Sequence, residues 1–121
     1  MTRLVTFVVA ASLLWASPAA ASPLDDYART TWASLAAMTD PATGLPADSL
    51  NADGTTSVQT SATNIGAYLW SAVAAQRLGL LSHRELVSRL SRTVGTLSRM
   101  ERYDGLYYNW YDAHTGAKLT V

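Results

Sequence analysis

Residues 62–78 constrain the fold most, because their side chains are apolar or small around nearly the whole circumference of a helix. Ser61 is suited to cap the start of this helix, and Gly79 is suited to the left-handed conformation that closes one. A helix without a polar face is usually buried between other helices. The sequence therefore predicts an assembly in which this helix is surrounded by neighbours.

Two further helices are predicted on either side of it along the chain. The first covers residues 24–38, begins near the N-cap Ser22 and ends before Pro41. Its apolar stripe has helical spacing and consists of Leu24, Ala28, Thr31, Leu35 and Met38. The third begins at the capping box formed by Ser82 and Glu85 and runs to about Arg102. Its apolar positions are Leu86, Leu90, Val94, Leu97 and Met100. The fold class is therefore expected to be all-α.

The connecting segments carry turn-forming residues. Residues 40–60 are rich in Pro, Gly, Asp, Asn, Ser and Thr and predict a long ordered loop, while residues 106–111 predict a short aromatic extended segment. A D-x-x-T-G pentad occurs twice, at residues 40–44 and 112–116. The repeat favours stacked helical units whose corresponding loops lie at one end. Chance recurrence of a common turn is the alternative.

The N-terminus has the order of a cleavable signal peptide over residues 1–21. Arg3 precedes the apolar run of residues 4–15, and Ala19, Ala20 and Ala21 precede a cleavage site before Ser22. An uncleaved membrane helix is the alternative, but the run is shorter than the roughly 20 residues that span a bilayer. We expect a secreted or periplasmic product without a membrane segment, forming one domain over residues 22–121.

Composition narrows the function classes. Lys plus Arg and Asp plus Glu number 9 each, so the chain lacks the basic excess of a nucleic-acid-binding protein. The absence of cysteine excludes disulfides and thiolate metal sites. The two histidines, His83 and His114, have no second ligand at metal-binding spacing. We expect neither a metal nor a cofactor.

The segment of residues 107–112 concentrates aromatic, amide and carboxylate groups. Sugar rings stack on Trp and Tyr, and their hydroxyls pair with Asn and Asp, so this composition suits a glycan cleft. The alternative is that alternate aromatic side chains pack into the core. Glycan cleavage also needs two carboxyl groups, and the loops offer Asp48, Asp53, Asp104 and Asp112 without revealing their separations.

Two motifs carry a resemblance to a known family. TS-x-TNIG-x-YL covers residues 60–69, and YNWYD-x-x-TG covers residues 108–116. In this order the chain resembles, over residues 24–119, the start of the glucoamylase-like α/α-toroid region of cyclic β-1,2-glucan synthases and related secreted β-1,2-glucanases. Ala62 stands where that family usually has proline.

The resemblance implies helical hairpins of an α/α toroid, with a glycan held by loops at one end and carboxylates as catalysts. It implies that the substrate is bound by Asn64, Asn109, Trp110, Tyr111 and Asp112, and it identifies no catalytic pair. Three helices form only an incomplete toroid. The leading prediction is the N-terminal portion of a secreted glycoside hydrolase or transglycosylase acting on β-glucan, inactive as this chain alone.

Two alternatives remain open at this point. One is a non-catalytic secreted helical module that binds a glycan or a partner through Trp110, Tyr107 and Tyr111. The other is a truncated inactive remnant, in which the largely apolar second helix lacks the neighbours that it needs.

Overall fold

The computed structural model describes residues 22–119, which form three helices and four two-residue strands. In chain order these are α1 (Pro23–Ala37), β1 (Gln59–Thr60), α2 (Ala62–Arg77), α3 (His83–Leu97), β2 (Arg102–Tyr103), β3 (Leu106–Tyr107) and β4 (Tyr111–Asp112). The predicted signal peptide lies outside the described residues. Within them, no helix combines the length and the apolar character needed to cross a membrane.

The helix starts follow from serine caps. Ser22 and Ser82 each form a complete capping box, with Asp25 and Glu85 respectively. Ser61 accepts a hydrogen bond from the N–H of Asn64. Each cap satisfies backbone donors that the first turn leaves free. The observed helix starts confirm the three predicted starts to within one residue.

The predicted end of α3 is wrong. The helix ends at Leu97, not near Arg102, and the Ser98 hydroxyl bonds to the Gly95 carbonyl at 2.8 Å. The residues before this end are Thr, Val, Gly and Thr, which are weak helix formers. Arg102 instead enters a hairpin whose turn is Asp104-Gly105, both with positive φ, as a type I′ turn requires.

The strands make two short antiparallel ladders. In one, β1 pairs with β4, placing Gln59 opposite Asp112 and Thr60 opposite Tyr111. In the other, β2 pairs with β3 across the Asp104-Gly105 turn. The all-α prediction is thus confirmed only in part: the described chain is rich in helix, but short strands tie its long loops together.

Two apolar clusters form the core. The first joins the loops to α2 and contains Leu45, Ala47, Ile65, Met100, Tyr111 and Ala113. The second joins α2 to α3 and contains Ala72, Ala75, Leu81 and Leu86. Helix α1 contributes no fully buried residue, and it contacts α2 through Trp32, whose ring stacks on Tyr68 at 6.1 Å.

Helix α2 is not covered on all sides, contrary to the sequence expectation. Ile65, Tyr68, Ala72 and Ala75 are buried, but Trp70 is 80% exposed. A shallow apolar depression lies beside it on α2 and α3. We call this surface the α2–α3 apolar face; it comprises Leu69, Trp70, Val73, Leu90 and Val94.

Candidate functional site

The functional candidates lie in a loop layer formed by residues 38–61, between α1 and α2, and residues 98–119, after α3. These segments meet where β1 pairs with β4. A hydrogen bond from the N–H of Asp48 to the carbonyl of Gln59 adds a further backbone segment beside β1. The loop layer is therefore an ordered surface, as predicted for residues 40–60.

The two D-x-x-T-G pentads form the same turn. Asp40 Oδ1 accepts hydrogen bonds from the N–H groups of Ala42 and Thr43, at 2.8 and 2.9 Å. Asp112 Oδ1 accepts from the equivalent N–H groups of the second pentad, at 2.7 and 3.1 Å. The closing glycines, Gly44 and Gly116, have φ of 72° and 73°. Both pentads therefore form the turn that their residue types favour.

The paired turns bind each other directly. The Thr43 hydroxyl donates to the Ala113 carbonyl at 2.6 Å, and His114 Nδ1 lies 2.8 Å from Asp40 Oδ2. Burial raises the pKa of Asp40, but hydrogen bonds from His114, Thr43 and Ala42 outweigh it and hold that pKa below its usual value. The hydrogen bond to Asp40 raises the pKa of His114, which favours an ion pair.

Helix α3 anchors the first of these turns through two threonine hydroxyls. The hydroxyl of Thr93 donates to the Gly44 carbonyl at 2.8 Å, and the hydroxyl of Thr96 donates to the Thr43 carbonyl at 2.7 Å. Both threonines are buried, at 0% and 4% exposed. They satisfy carbonyl groups that burial would otherwise leave unpaired, which fixes the loop layer on the helices.

Among the predicted substrate-binding residues, Asn64 is brought together with a loop carboxylate. Its side-chain amide, on the first turn of α2, donates to Asp48 Oδ1 at 2.7 Å. Asp48 is exposed, and within residues 22–119 its second carboxylate oxygen accepts no hydrogen bond. The pair therefore presents an oriented acceptor at the surface of the loop layer.

The structure separates the other four predicted residues into two groups. Asn109 is exposed and Trp110 is half-buried, so both offer surface to a ligand. Tyr111 is fully buried; its hydroxyl donates to the Glu101 carbonyl at 2.6 Å and accepts from the Tyr108 N–H at 2.8 Å. It packs in the core, as the alternative interpretation of the aromatic segment proposed. Asp112 holds the second pentad turn.

The remaining loop carboxylates, Asp53 and Asp104, both lie in turns. Asp53 accepts hydrogen bonds from the Thr55 hydroxyl and N–H, which hold its pKa below the usual value. Asp104 occupies the left-handed hairpin turn. In the part of the chain that the structure describes, no three His, Asp or Glu side chains are grouped as a metal site.

Sequence reasoning missed a second polar cluster in the loop layer. Lys118 Nζ lies 3.0 Å from Glu101 Oε1 and 4.3 Å from the centre of the Tyr108 ring. The hydrogen bond to Glu101 raises the pKa of Lys118. No local motif identifies this cluster, because the Tyr111–Lys118 bridge and the buried Tyr111 bring its members together.

Comparison with known proteins places the chain in a family. The profile of the family described as "Protein of unknown function (DUF3131)" matches residues 26–120. The cyclic β-(1,2)-glucan synthase of Rhizobium meliloti (strain 1021) is 43% identical over 53 residues, which is 44% of this chain and 2% of that protein. The sequence resemblance to glucan synthases is thereby confirmed.

Two solved structures share the fold. A glucoamylase-like protein from Bacteroides fragilis NCTC 9343 superposes with a TM-score of 0.65 and 23% identity, over 83% of this chain and 26% of its own. A second, from Bacteroides caccae ATCC 43185, gives a TM-score of 0.61 and 22% identity, over 76% of this chain and 24% of its own. The chain thus spans about a quarter of the length of these structures.

Proposed function

The chain belongs to the DUF3131 family, and on that premise we propose that it forms the glycan-contacting part of a glucan-active, glucoamylase-like enzyme region. The single observation that carries the proposal is the Asp48–Asn64 hydrogen bond at the surface of the loop layer. Asn64 lies in the TS-x-TNIG-x-YL motif. A carboxylate next to an amide offers the acceptors and donors that adjacent sugar hydroxyls require.

The relatives support the substrate class. The curated relative is named a cyclic β-(1,2)-glucan synthase, and both solved neighbours are glucoamylase-like. We therefore propose a β-glucan as the ligand, handled by hydrolysis or transfer in the enzyme region. The three helices are proposed to be part of an α/α toroid, with the loop layer at its glycan-binding end.

The carboxylates of the loop layer favour binding over catalysis by this segment. Glycoside cleavage needs an acid and a base or nucleophile, but Asp40, Asp53 and Asp112 each hold a turn. Asp48 is then one carboxylate with an oxygen available to a ligand. We propose that Asp48, Asn64, Asn109 and Trp110 contact the glycan, and that Tyr111 and Asp112 support them from within the fold.

Export is a separate proposal. Residues 1–21 are proposed to direct secretion and to be removed before Ser22, and the support is the order of charged, apolar and small residues described above. The intact mass of the product recovered outside the cytoplasm of an expressing cell tests it. A product that retains Arg3 and the apolar run contradicts cleavage.

Glycan binding is tested on the purified chain by isothermal titration with β-1,2-glucan oligosaccharides, with β-1,3- and β-1,4-glucan oligosaccharides in parallel. We expect Asn64→Ala and Asp48→Asn each to weaken binding about tenfold or more, as when a hydrogen bond to a charged group is lost. Asp26→Asn, on exposed α1, is the matched control and should bind normally.

Release of reducing sugar, measured in the same samples, distinguishes binding from turnover. Binding without release supports a glycan-contacting segment, and release would show that the segment is itself catalytic. If none of the β-glucans binds to a chain that circular dichroism shows to be folded, the proposed function is wrong.

A further inference from the structure

A second cleft lies between the end of α1, the first D-x-x-T-G turn and α3, and it shares no residue with the four proposed glycan contacts. Its volume is about 330 Å³, within the range of small-ligand sites. Its polar lining comprises Thr39, Tyr68, Ser88, Arg89 and Arg92, together with the carboxylates of Asp40 and Glu85. Nothing in the proposed function uses this cleft.

Arg89 is held in place by the other two helices. Its guanidinium carbon lies 5.4 Å from the centre of the Trp32 ring, and its Nη1 lies 3.5 Å from the Tyr68 hydroxyl. Trp32 in turn stacks on Tyr68. A guanidinium stacked on an aromatic face keeps its N–H groups directed outward at its edges, so Arg89 is oriented before any ligand arrives.

Arg92 is positioned by the pentad turn. Its Cγ lies 3.2 Å from the point where a Cβ on Gly44 would stand, so the glycine lets the turn approach the arginine stem closely. Arg89 and Arg92 are three residues apart on α3 and therefore share one face. Both arginines thus line the same cleft, with the Arg89 guanidinium held by rings of α1 and α2 and the stem of Arg92 lying against the pentad turn.

Neither arginine forms a close ion pair with a carboxylate in the part of the chain that the structure describes, although the charge of Glu85, four residues before Arg89, attracts it. The ion pairs there are Asp40–His114 and Glu101–Lys118. Glu85 accepts hydrogen bonds from the N–H and hydroxyl of Ser82 as part of its capping box, at 3.0 Å each. The two guanidinium groups are therefore adjacent and free of close carboxylate contacts, and like charges at this spacing repel.

We propose that this cleft binds a phosphate group. A phosphate group between Arg89 and Arg92 can accept hydrogen bonds from both side chains, because guanidinium groups match phosphate oxygens in bidentate geometry. The Ser88 hydroxyl offers a further donor in the same cleft. The phosphate group comes either as the free ion or attached to a sugar, and both sources share this recognition chemistry.

The test is a titration of the full chain with inorganic phosphate, and separately with glucose 6-phosphate, at constant ionic strength and followed by NMR amide shifts. We expect saturable shifts at Thr39, Ser88 and Arg92 in the unsubstituted chain. Arg92→Gln should weaken binding about tenfold or more, because a charge-assisted contact is lost, and Arg92→Lys should recover part of the affinity.

Arg84→Gln is the matched control, because Arg84 is exposed on the same helix and does not line the cleft. Tighter binding of glucose 6-phosphate assigns the site to a sugar-borne phosphate, and equal binding assigns it to the free ion. The proposal is overturned if neither probe gives saturable shifts in the folded chain, or if Arg84→Gln weakens binding as much as Arg92→Gln. Both results are independent of β-glucan binding.

Discussion

Replacing Thr96 by valine tests whether buried hydroxyl groups hold the loop layer on α3. The Thr96 hydroxyl donates to the Thr43 carbonyl at 2.7 Å, and the residue is 4% exposed. Valine keeps the branched β-carbon, so the side-chain shape and the local helix preference change little. The substitution therefore removes the hydrogen bond and leaves the Thr43 carbonyl without this donor.

The expected loss in the free energy of unfolding is about 1–3 kcal/mol, the cost of a buried acceptor left unsatisfied. Thr60 supplies the matched control. It is also fully buried, but its hydroxyl has no hydrogen-bond partner among the described residues. Thr60→Val removes a polar group that burial already penalises, and valine suits its strand, so stability should stay the same or rise.

Urea unfolding followed by circular dichroism measures both variants, and unchanged m values would show that the unfolding transition itself is unaltered. A loss of 1 kcal/mol corresponds to roughly 4–8 °C in Tm for a domain of this size. Thr96→Ser, which retains a hydroxyl, should recover most of the loss. If Thr96→Val is as stable as Thr60→Val, the hydrogen bond to Thr43 contributes nothing and the reasoning is refuted.

Gly54→Ala should cost roughly 1–2 kcal/mol, the strain of a left-handed backbone at a non-glycine residue, since nothing lies within 4 Å of the added Cβ. Gly44→Ala should cost more, because its Cβ would also lie 2.9 Å from a threonine hydroxyl. Urea unfolding of the two variants compares these losses. Because folding raises the pKa of His114, the ion pair stabilises the fold below the unfolded pKa of 6.5, and this stabilisation is lost as pH rises through the folded pKa. Because folding lowers the pKa of Asp40, its contribution is present above the unfolded pKa of 3.8 and is lost on acidification. His114→Gln should therefore lower Tm between these two values and have little effect near about pH 9, and an equal loss at both pH values would contradict the ion pair. Trp70→Ser should reduce self-association in sedimentation without lowering Tm, since Trp70 is 80% exposed; identical sedimentation of both proteins would count against this.

The helix starts could be predicted because their determinants are local. Each cap joins a serine to a residue three positions later, as Ser82 and Glu85 show. The end of α3 could not be found from apolar spacing, since Met100 is buried beyond the helix and continues the same pattern. The Asp104-Gly105 pair was the sequence signal for the β2–β3 hairpin, which begins at Arg102, where the last turn of α3 was predicted to end.

The site could be predicted only as a set of residue types, because its contacts are distant in sequence. The Asn64–Asp48 bond spans 16 positions, and the Thr43–Ala113 bond spans 70. Whether Tyr111 faces a ligand or the core depends on its pairing with Thr60 across β1 and β4, since a one-residue shift in register would reverse it. The pentad repeat was a long-range signal in the sequence: it marked two turns, but their direct bonding to each other appears only in the structure.

The loop layer and the α2–α3 apolar face differ in how far their surfaces are covered or bonded within the described residues. The pentad turns bond to themselves, to each other and to Thr93 and Thr96, so the polar groups of these turns have partners within the described residues. The α2–α3 apolar face lacks such cover within residues 22–119, and the solved relatives are about four times as long as the segment that they share with this chain. Asn64 and Trp70 lie on the same helix, so substitutions there test whether glycan binding and association use separate surfaces. Trp70→Ser should alter association and leave β-glucan binding unchanged. Asn64→Ala should weaken β-glucan binding and leave association unchanged. If Trp70→Ser abolishes glycan binding while the chain remains folded, the glycan site extends over the helix sides and is not confined to the loop layer.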